Sequence, residues 1–495
     1  MVLMDKRLAL LDAAIKDINI AEHHIKSFEY FVDRGLQNIV DSNSTIEPVI
    51  KPAGVTEFLI KLGKITVGRP DIREIDSTVR PIMPMEARIR DLNYDASMTL
   101  MVSYVADKKV IKEKEVVIGR IPIMLKSKYC NLYGLSKEDL VKIKEDPNDP
   151  GGYFIINGTE RIIITTEDLA PNNILITKDS QEGILYSAKI FADADDIKVP
   201  HTVSFSSNNL LYVTFGKIKR FPAVTLLKAL GVTSDTELIK LLAAGNEDME
   251  NTLHVNLIAF PEKTEKEALI AVGESLHSVH PIETAETNID SLLFPFLGRT
   301  SNSRALKAEY LIFVLRRLLA SAEEKKEVDK DHYSNKRLHS EYYNMDMLFR
   351  FVFRQVLNDA KYNFERGIRK DKIPTPEYIF TADQLTSRLR SSFATGQWVG
   401  GRVGITQHLD RRSFPSTVSH LRKIESLLTS NRENYRARDL HGTHFGRFCA
   451  VETPEGPKIG LTKNLALLSK ISNDGVVEKE ISAELKKYGV KILWN

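Results

Sequence analysis

The stretch 436–467, RARDLHGTHFGRFCAVETPEGPKIGLTKNLAL, is the most distinctive part of this 495-residue chain. It combines two histidines three positions apart, a Gly-Arg pair and the run Glu-Thr-Pro-Glu-Gly, a combination that no helical or strand periodicity would generate. Pro454 fixes its own φ angle and Gly456 permits a positive one, so the sequence predicts a rigid turn over 452–456. The mix of Gly, Pro, Arg, His and Glu is more typical of a surface that lines a substrate than of a packing interface.

Length and charge restrict the function classes. A chain of 495 residues is long enough for roughly three or four domains, and 42% apolar with 27% charged residues is ordinary for a folded protein. The net charge is only +3, so the chain as a whole is not a polycation. The window 391–465, however, holds 11 basic and 6 acidic residues. Any surface that binds nucleic acid must therefore be local, and this window is the best candidate.

The two cysteines, Cys130 and Cys449, are too few for a disulfide framework or a four-thiolate zinc site. A reducing, intracellular setting is expected. No apolar run reaches the ~18 residues of a membrane-spanning helix. The amino terminus lacks a small-residue cleavage site, so we do not interpret it as a signal peptide.

Hydrophobic periodicity predicts several helices. They are 21–40, 236–243, 306–320 and 344–368. Ser234 can cap the second of them. In the last one, Met347, Phe351, Phe353 and Val356 are among the apolar positions.

Other segments predict strands and hairpins. The β-branched segments 99–105 and 116–124 are punctuated by Gly and Pro, which is typical of strands. The tract 149–164 predicts two strands joined by a turn at Asn-Gly 157–158, because these residues suit the two positive φ angles of a type I′ hairpin. A second hairpin is predicted at 201–215, in a middle part of the chain that resembles a separate unit.

Several separated tracts occur in the same order in one known family. They are RDLNY at 90–94, GGYFIINGTER at 151–161, DKDHYSNKRL at 329–338, FATGQW at 393–398, GITQHLD at 404–410, VSHLRK at 418–423 and the stretch 436–467. Together they resemble the second-largest subunit of multisubunit RNA polymerases, most closely its archaeal and eukaryotic branch. Some archaea split this subunit into two polypeptides, B″ and B′, and the chain resembles B″, the amino-terminal half. A truncated form of the undivided subunit is the alternative.

The resemblance implies an α+β multidomain fold with named parts. The protrusion would comprise 1–185 and 340–390, with the lobe inserted at 186–339. The fork would be 391–466, and 467–495 would begin the external domain. The protrusion and lobe would form one side of the DNA cleft, and the fork would lie near the active centre, where the strands separate and the RNA 3′ end sits.

The resemblance also implies that the chain is part of a DNA-directed RNA polymerase, a nucleotidyltransferase of transcription, and is inactive alone. Nucleotidyl transfer uses two metal ions held by clustered carboxylates. The superficial candidate Phe191-Ala-Asp-Ala-Asp-Asp196 lacks the metal-binding pattern of the largest subunit and is interpreted as an acidic surface loop. No catalytic or metal-binding residue is therefore expected here, and Mg²⁺ is expected in the partner largest subunit.

The expected partners follow from the same resemblance. They are the DNA template, the RNA transcript, the B′ chain, the largest subunit and general transcription and elongation factors, with no membrane and a cytoplasmic location. Two other classes of function stay open. The chain could be a stand-alone nucleic-acid-binding protein, or a scaffold that uses the same tracts to dock partners.

Eight residues are predicted by the resemblance to contact nucleic acid. They are Arg402, Gln407, Asp410, His420, Arg422, Lys423, Glu455 and Lys458. Gln407 can hydrogen-bond a sugar or a base edge, and Arg422 can form a bidentate contact with a phosphate. Asp410 cannot attract phosphate and is expected to orient an arginine such as Arg411 or Arg422. Glu455 is expected close to the RNA 3′ end.

Each prediction has an ordinary alternative. The residues of 407–423 could make only surface hydrogen bonds or salt bridges, the turn at 452–456 could simply brace the fork, and Lys458 could be solvated. The loop 400–404, which holds Arg402 and is predicted to face downstream DNA, could be a Gly-rich connector. His441 and His444 are expected to be hydrogen-bonding histidines, because H-x-x-H with one nearby cysteine lacks the ligands of a zinc site.

Overall fold

The computed structural model describes residues 8–10, 19–178, 183–194, 197–243, 245–370, 372–428, 434–472 and 484–489. The chain divides into two compact units. The outer unit is Met1–Asp168 together with Leu338–Asn495, and the inserted unit is Leu169–Arg337. Each unit has its own buried hydrophobic core. The predicted division into protrusion, lobe, fork and external domain stays a prediction.

The described part of the outer unit before the insertion contains the following helices and strands. The helices are α1 (Glu22–Tyr30), α2 (Leu36–Ser42), α3 (Pro84–Ile89) and α4 (Lys137–Lys142). The strands are β1 (Thr45–Ile46), β2 (Phe58–Val67), β3 (Asp71–Arg73), β4 (Val79–Pro81), β5 (Asp95–Ala106), β6 (Lys109–Pro122), β7 (Phe154–Ile156), β8 (Thr159–Ile163) and β9 (Thr165–Leu169). A π-helical segment, Phe31–Gly35, joins α1 to α2. The predicted helix at 21–40 is therefore confirmed.

The described residues of the inserted unit form a run of strands followed by a run of helices. The strands are β10 (Leu175–Lys178), β11 (Ile184–Ala194), β12 (Ile197–Ser206), β13 (Leu211–Phe215) and β14 (Ile218–Pro222). The helices are α5 (Ala223–Ala229), α6 (Asp235–Ala243), α7 (Glu247–Ala259), α8 (Glu265–Ser275), α9 (Pro281–Leu292) and α10 (Arg304–Glu324). The strands form one sheet in sequence order, and β12 pairs antiparallel with β13. The predicted hairpin and the predicted helices 236–243 and 306–320 are confirmed.

The outer unit then resumes. Its strands are β15 (Lys336–His339, which spans the boundary), β16 (Gln397–Trp398), β17 (Arg402–Val403), β18 (Thr406–His408), β19 (Lys423–Ser426) and β20 (Thr462–Asn464). Its helices are α11 (Glu341–Ile368), α12 (Pro376–Ile379), α13 (Ala382–Thr395), α14 (Phe414–Leu421) and α15 (Tyr435–Arg438). Helix α11 confirms the prediction at 344–368 and buries Phe353 and Val356. Phe351, however, is exposed, since it lies on the opposite face of this helix.

A four-stranded antiparallel sheet with the order β1-β2-β5-β6 forms one part of the outer core. Strand β5 alternates buried and partly exposed residues along most of its length, as a half-buried strand should. Asp107 and Lys108, both with positive φ, turn the chain into β6. The strand predicted at 99–105 lies within β5, and the strand predicted at 116–124 overlaps the end of β6, so both predictions are confirmed apart from the last two residues of the second.

The Asn-Gly hairpin positions the later part of the chain. Strands β7 and β8 pair antiparallel, and Asn157 and Gly158 adopt positive φ angles of 48° and 71°, as predicted. Strand β18 adds to the other edge of β8, with Gln407 opposite Ile162. Strand β19 runs parallel to β9 and antiparallel to β20. The Asn-Gly turn thus forms a hairpin to which β18, more than 240 residues later in the chain, is hydrogen-bonded.

His201 gives the inserted unit a built-in pH dependence. Its ring stacks on Phe294, with the ring centroids 4.6 Å apart. The Phe294 N–H donates to Nε2, so Nδ1 must carry the proton donated to the Val199 carbonyl, and the ring is neutral. Burial lowers the pKa of His201 from 6.5 to about 4.

We expect the inserted unit to lose about 3 kcal/mol of unfolding free energy as pH falls from 6.5 to about 4, because the unfolded chain takes up this proton first. Above 6.5 this contribution is fully present. Hydrogen exchange of β12 and β13 amides, corrected for its intrinsic pH dependence, measures the loss. His201→Gln should flatten the slope, whereas His254→Gln, at an exposed position, should not. A slope that survives His201→Gln would contradict the assignment.

Candidate nucleic-acid interface

The segment 404–426 carries most of the predicted contact residues, and three local features fix its path. Strand β18 is hydrogen-bonded to β8. Helix α14 begins with a capping box, in which the Ser413 hydroxyl accepts from the Ser416 N–H and the Ser416 hydroxyl accepts from the Ser413 N–H. Strand β19 then enters the sheet beside β9. The side chains between these anchors are therefore placed by a rigid frame.

Gln407, Asp410 and His420 form one hydrogen-bonded network. The Asp410 backbone N–H donates to His420 Nδ1 at 3.1 Å, so Nε2 carries the ring proton and donates to Gln407 Oε1 at 3.2 Å. The Gln407 amide nitrogen in turn donates to the Gly404 carbonyl at 3.0 Å. Burial, reinforced by the positive charge of Lys423, lowers the pKa of His420 to about 4. At neutral pH this network is uncharged apart from the Asp410 carboxylate.

The Asp410 carboxylate holds an arginine, but not one of the two that the sequence suggested. It accepts from the Nε and backbone N–H of Arg412, at 3.0 Å from each. These hydrogen bonds lower the pKa of Asp410. Arg411 and Arg422 have other partners, so the predicted orientation of either by Asp410 is wrong. Arg412 is only two residues from Asp410, so both its backbone N–H and its side chain can reach the same carboxylate.

Lys423 and Lys458 meet at a carboxylate that sequence reasoning missed. Lys423 Nζ lies 2.8 Å from Glu425 Oε1, and Lys458 Nζ lies 3.4 Å from the same oxygen. Burial is the largest single effect and would raise the pKa of Glu425, but the hydrogen bond to Lys423 and the positive charges of Lys423 and Lys458 together outweigh it and lower the pKa. Alternation on β19 could have indicated Glu425, because residues two apart on a strand share a face.

The Glu-Thr-Pro-Glu-Gly run has no assigned turn at 452–454 and bends at Glu455, so the turn predicted over 452–456 is confined to the end of the run. Gly456 has a φ of 79°, and a 3₁₀ turn, Gly456–Lys458, follows directly. Thr453 braces the turn, because its hydroxyl donates to the Thr462 carbonyl and accepts from the Gly460 N–H. Glu455 is exposed at the start of the 3₁₀ turn.

An open groove of about 710 Å³ lies along these elements. Its lining includes Gln407, Asp410, Arg412, His420, Lys423 and Pro454. Four predicted contact residues, two from the tract 404–410 and two from the tract 418–423, therefore share one surface. Glu455 follows the lining residue Pro454 in the chain, and Lys458 is tied to Lys423 through Glu425.

Two family models match the chain. One, described as RNA polymerase beta subunit, matches residues 19–387, and the other, described as RNA polymerase Rpb2, domain 3, matches residues 407–471. The chain belongs to the RNA polymerase beta subunit family. All predicted contact residues except Arg402 lie within the domain 3 match.

Relatives of this polymerase subunit agree with the family models. A DNA-directed RNA polymerase subunit Rpo2N from Methanocaldococcus jannaschii is 39% identical over 496 residues, covering 98% of this chain and 99% of the relative. The Rpo2N of Methanococcus vannielii is 37% identical, covering 95% and 96%. The Rpo2 of Saccharolobus shibatae is 36% identical, covering 98% of this chain but 43% of the relative. The chain is a subunit of a DNA-directed RNA polymerase, and the α+β multidomain fold and the role in a multisubunit enzyme are confirmed.

Arg402 stands apart from the groove network of the polymerase subunit. Strands β16 and β17 pair to form a short hairpin, with Gly400 and Gly401 at its tip in positive φ conformations. The Arg402 guanidinium lies 5.7 Å from the centre of the Tyr343 ring, within range of a cation–π interaction. The loop 400–404 is therefore an ordered hairpin.

Arg422 is buried and is not among the residues that line the groove. It is only 6% exposed, and its Nη2 donates to the carbonyls of Ala466 and Leu467 at 2.5 and 3.3 Å. Burial lowers its pKa. In this structure Nη2 of Arg422 holds the segment after β20, and the predicted phosphate contact of Arg422 stays a prediction.

The histidine pair of the polymerase subunit makes local hydrogen bonds. His441 Nδ1 lies 2.7 Å from the Thr443 hydroxyl, and the His441 N–H donates to His444 Nδ1 at 3.4 Å. Within the described ranges, no three His, Cys, Asp or Glu residues are grouped as a metal would require. Asp195 and Asp196 of the predicted acidic loop lie outside those ranges. None of the described helices has the length and hydropathy that a bilayer crossing requires.

Proposed function

We propose that the groove contacts nucleic acid near the RNA 3′ end, that the hairpin holding Arg402 faces downstream DNA, and that the chain forms one side of the DNA cleft. One observation carries the proposal. One groove is lined by four of the residues that the sequence predicted as contacts, namely Gln407, Asp410, His420 and Lys423. Lys458 forms an ion pair with Glu425, which also pairs with Lys423. Packing alone gives no reason for these predicted contact residues to lie on one surface.

The charged and polar groups of the groove suit the phosphates and sugars of a nucleic acid. Glu425 holds two ammonium groups close together, which places positive charge where phosphates can pass. Phosphate oxygens would share those ammonium groups with Glu425. Gln407 and His420 form a neutral, fixed pair beside them, and this pair can recognise a ribose hydroxyl or a base edge without attracting further charge.

We further propose that the chain corresponds to B″, the amino-terminal half of a split subunit. The near full-length match to two Rpo2N relatives supports this assignment. Its partners would then be the B′ chain, the largest subunit, the DNA template, the RNA transcript and transcription factors, in the cytoplasm. The largest subunit would supply Mg²⁺, and this chain would supply positioning.

Lys423→Ala tests the proposal in a polymerase reconstituted with all its subunits on an RNA–DNA scaffold. We expect elongation complexes to dissociate about tenfold faster, and the dependence of log affinity on log salt to become shallower by about 1, because one phosphate contact is lost. Lys142→Ala is the matched control, since that side chain is 72% exposed on α4 and outside the groove. The lifetime and the salt dependence are both measured by filter retention of labelled RNA.

Identical lifetimes and salt slopes for Lys423→Ala and Lys142→Ala would contradict the contact role of the groove. A stand-alone nucleic-acid-binding protein predicts a different result. In that case the isolated chain would bind the scaffold as tightly as the assembled enzyme at the same salt concentration.

A further inference from the structure

Arg411 lies in the groove lining between Asp410 and Arg412, but its hydrogen bonds go to a different part of the chain. Its Nε donates to Glu160 Oε2 at 2.5 Å, and its Nη2 donates to Asp149 Oδ2 at 2.6 Å. The same Nη2 lies 2.8 Å from the Tyr153 hydroxyl, and the guanidinium lies 5.0 Å from the centre of the Tyr153 ring. All of these partners lie in the tract 149–160, which no function assigned so far explains.

A second arginine bonds two of the same partners. Arg88 of α3 donates from Nε to Glu160 Oε1 at 2.8 Å, and from Nη2 to the Tyr153 hydroxyl at 2.8 Å. The Tyr153 hydroxyl in turn donates to Asp149 Oδ2 at 2.9 Å. This hydroxyl therefore uses both its acceptor sites and its proton, and it links the two arginines. Burial raises the pKa of Tyr153 well above its usual value, so the hydroxyl stays protonated.

The glycines before Tyr153 explain how the ring is held in place. Gly151 and Gly152 have φ angles of 73° and 79°, which side chains rarely adopt. A Cβ on Gly151 would lie 2.8 Å from the Leu125 carbonyl oxygen, and one on Gly152 would lie 2.7 Å from Ala21 Cβ. The backbone at Gly151 and Gly152 thus packs against its neighbours at a distance that only glycine permits. This close packing fixes the position of the Tyr153 side chain that follows.

The loop after β18 is hydrogen-bonded to Glu160 of this tract at two places. The Leu409 N–H donates to the Glu160 carbonyl at 3.0 Å, and two residues later the Arg411 side chain reaches the Glu160 carboxylate. Asp410 lies between these attachments, and its N–H is the group that fixes the His420 ring. Displacing Arg411 would therefore move the backbone that holds the neutral pair in the groove.

We propose that Arg411 is a positioning residue of the polymerase, which sets the geometry of Asp410 and His420 through its bonds to Glu160, Asp149 and Tyr153. This inference rests on the proposed contact role of the groove. It assigns the Gly-Gly-Tyr tract a task in the enzyme, namely to supply the fixed anchor for the contact loop.

Arg411→Lys tests the inference in the fully reconstituted polymerase. Lysine keeps the charge but cannot bond Glu160 and Asp149 in the fork geometry of arginine. We expect elongation complexes to lose about tenfold in lifetime, less than the ~100-fold that a displacement of 1 Å can cost. Arg304→Lys is the matched control, because Arg304 also holds two carboxylates, Asp290 and Glu286, but lies in the inserted unit. It should leave the lifetime unchanged.

A double-mutant cycle separates positioning from general stability. If Arg411 acts through the neutral pair, Arg411→Lys should change the lifetime less than about twofold in a Gln407→Ala background, since interacting sites are not additive. Tyr153→Phe removes the linking hydroxyl and should reproduce the effect of Arg411→Lys, which keeps the test valid if one variant folds poorly.

The outcomes separate the contact role of the groove from the positioning role of Arg411. If Lys423→Ala and Gln407→Ala leave the lifetime unchanged, the contact role of the groove is wrong. If they shorten it while Arg411→Lys and Tyr153→Phe do not, only the positioning role is wrong. Full multiplication of the Arg411→Lys and Gln407→Ala effects would likewise overturn positioning.

Discussion

Glu341→Leu is expected to lower the free energy of unfolding of the outer unit by about 3–5 kcal/mol, because it leaves a buried charge without its counter-ion. Glu341 is fully buried at the start of α11, where it is paired with His24 Nδ1. His24 Nε2 donates to the Leu421 carbonyl at 2.6 Å. Both ring nitrogens face acceptors, so both must carry protons and the ring is charged. Burial opposes that charge, but Glu341 prevails and raises the pKa of His24.

Urea denaturation followed by Trp398 fluorescence, in a chain carrying Trp494→Phe, measures the effect on the outer unit. Glu377→Leu is the control, since its solvent-exposed pair with Lys114 is screened by water and should contribute little to stability. The double variant His24→Leu with Glu341→Leu should recover part of the loss, because it removes both charges. A loss below about 1 kcal/mol for Glu341→Leu would show that the pair carries little stability.

Gly460→Ala should cost about 3–5 kcal/mol and abolish the order of the Glu-Thr-Pro-Glu-Gly turn. A Cβ at Gly460 would lie 2.2 Å from the Arg438 carbonyl oxygen, and the residue has a φ of +70°. The collision is with backbone, so no side-chain rotation relieves it. Arg438 also donates to the Pro457 and Ile459 carbonyls at 2.6 and 2.9 Å, so the collision would separate contacts that hold the turn.

Protease sensitivity of the segment 436–467, together with elongation by the reconstituted polymerase, reports the change. Gly442→Ala serves as the control within the same segment, since its Cβ would meet no heavy atom within 4 Å. Its stability should change by less than about 1 kcal/mol. Equal cleavage rates for the two variants would remove the close approach as the reason for glycine at Gly460.

Sequence reasoning succeeded where the deciding interactions are local. The Asn157-Gly158 turn follows from the φ angles that these residues tolerate, and the structure shows them. The helix at 344–368 follows from 3.6-residue periodicity, although Phe351 shows that periodicity does not fix every position of a face. The hairpin at 201–215 follows from period-two alternation and is likewise present.

The contact surface was only partly predictable, because its details depend on distant partners. The resemblance selected Gln407, His420 and Lys423, and these residues share a groove. It also selected Arg422, whose partners lie 44 and 45 positions away and bury it. Nothing in the local pattern shows that a carbonyl at Ala466 will take up the guanidinium.

The discontinuous outer unit has a consequence for the order of events on the ribosome. Its core joins residues made before the insertion to residues made after it, such as Phe31 packing against Phe349 with ring centroids 6.2 Å apart. The inserted unit is one continuous stretch, and its own ends approach each other where the Ala170 N–H donates to the Asn335 carbonyl at 2.8 Å. The first 168 residues must therefore wait, with part of their apolar surface uncovered, until the nascent middle segment has emerged and α11 follows it.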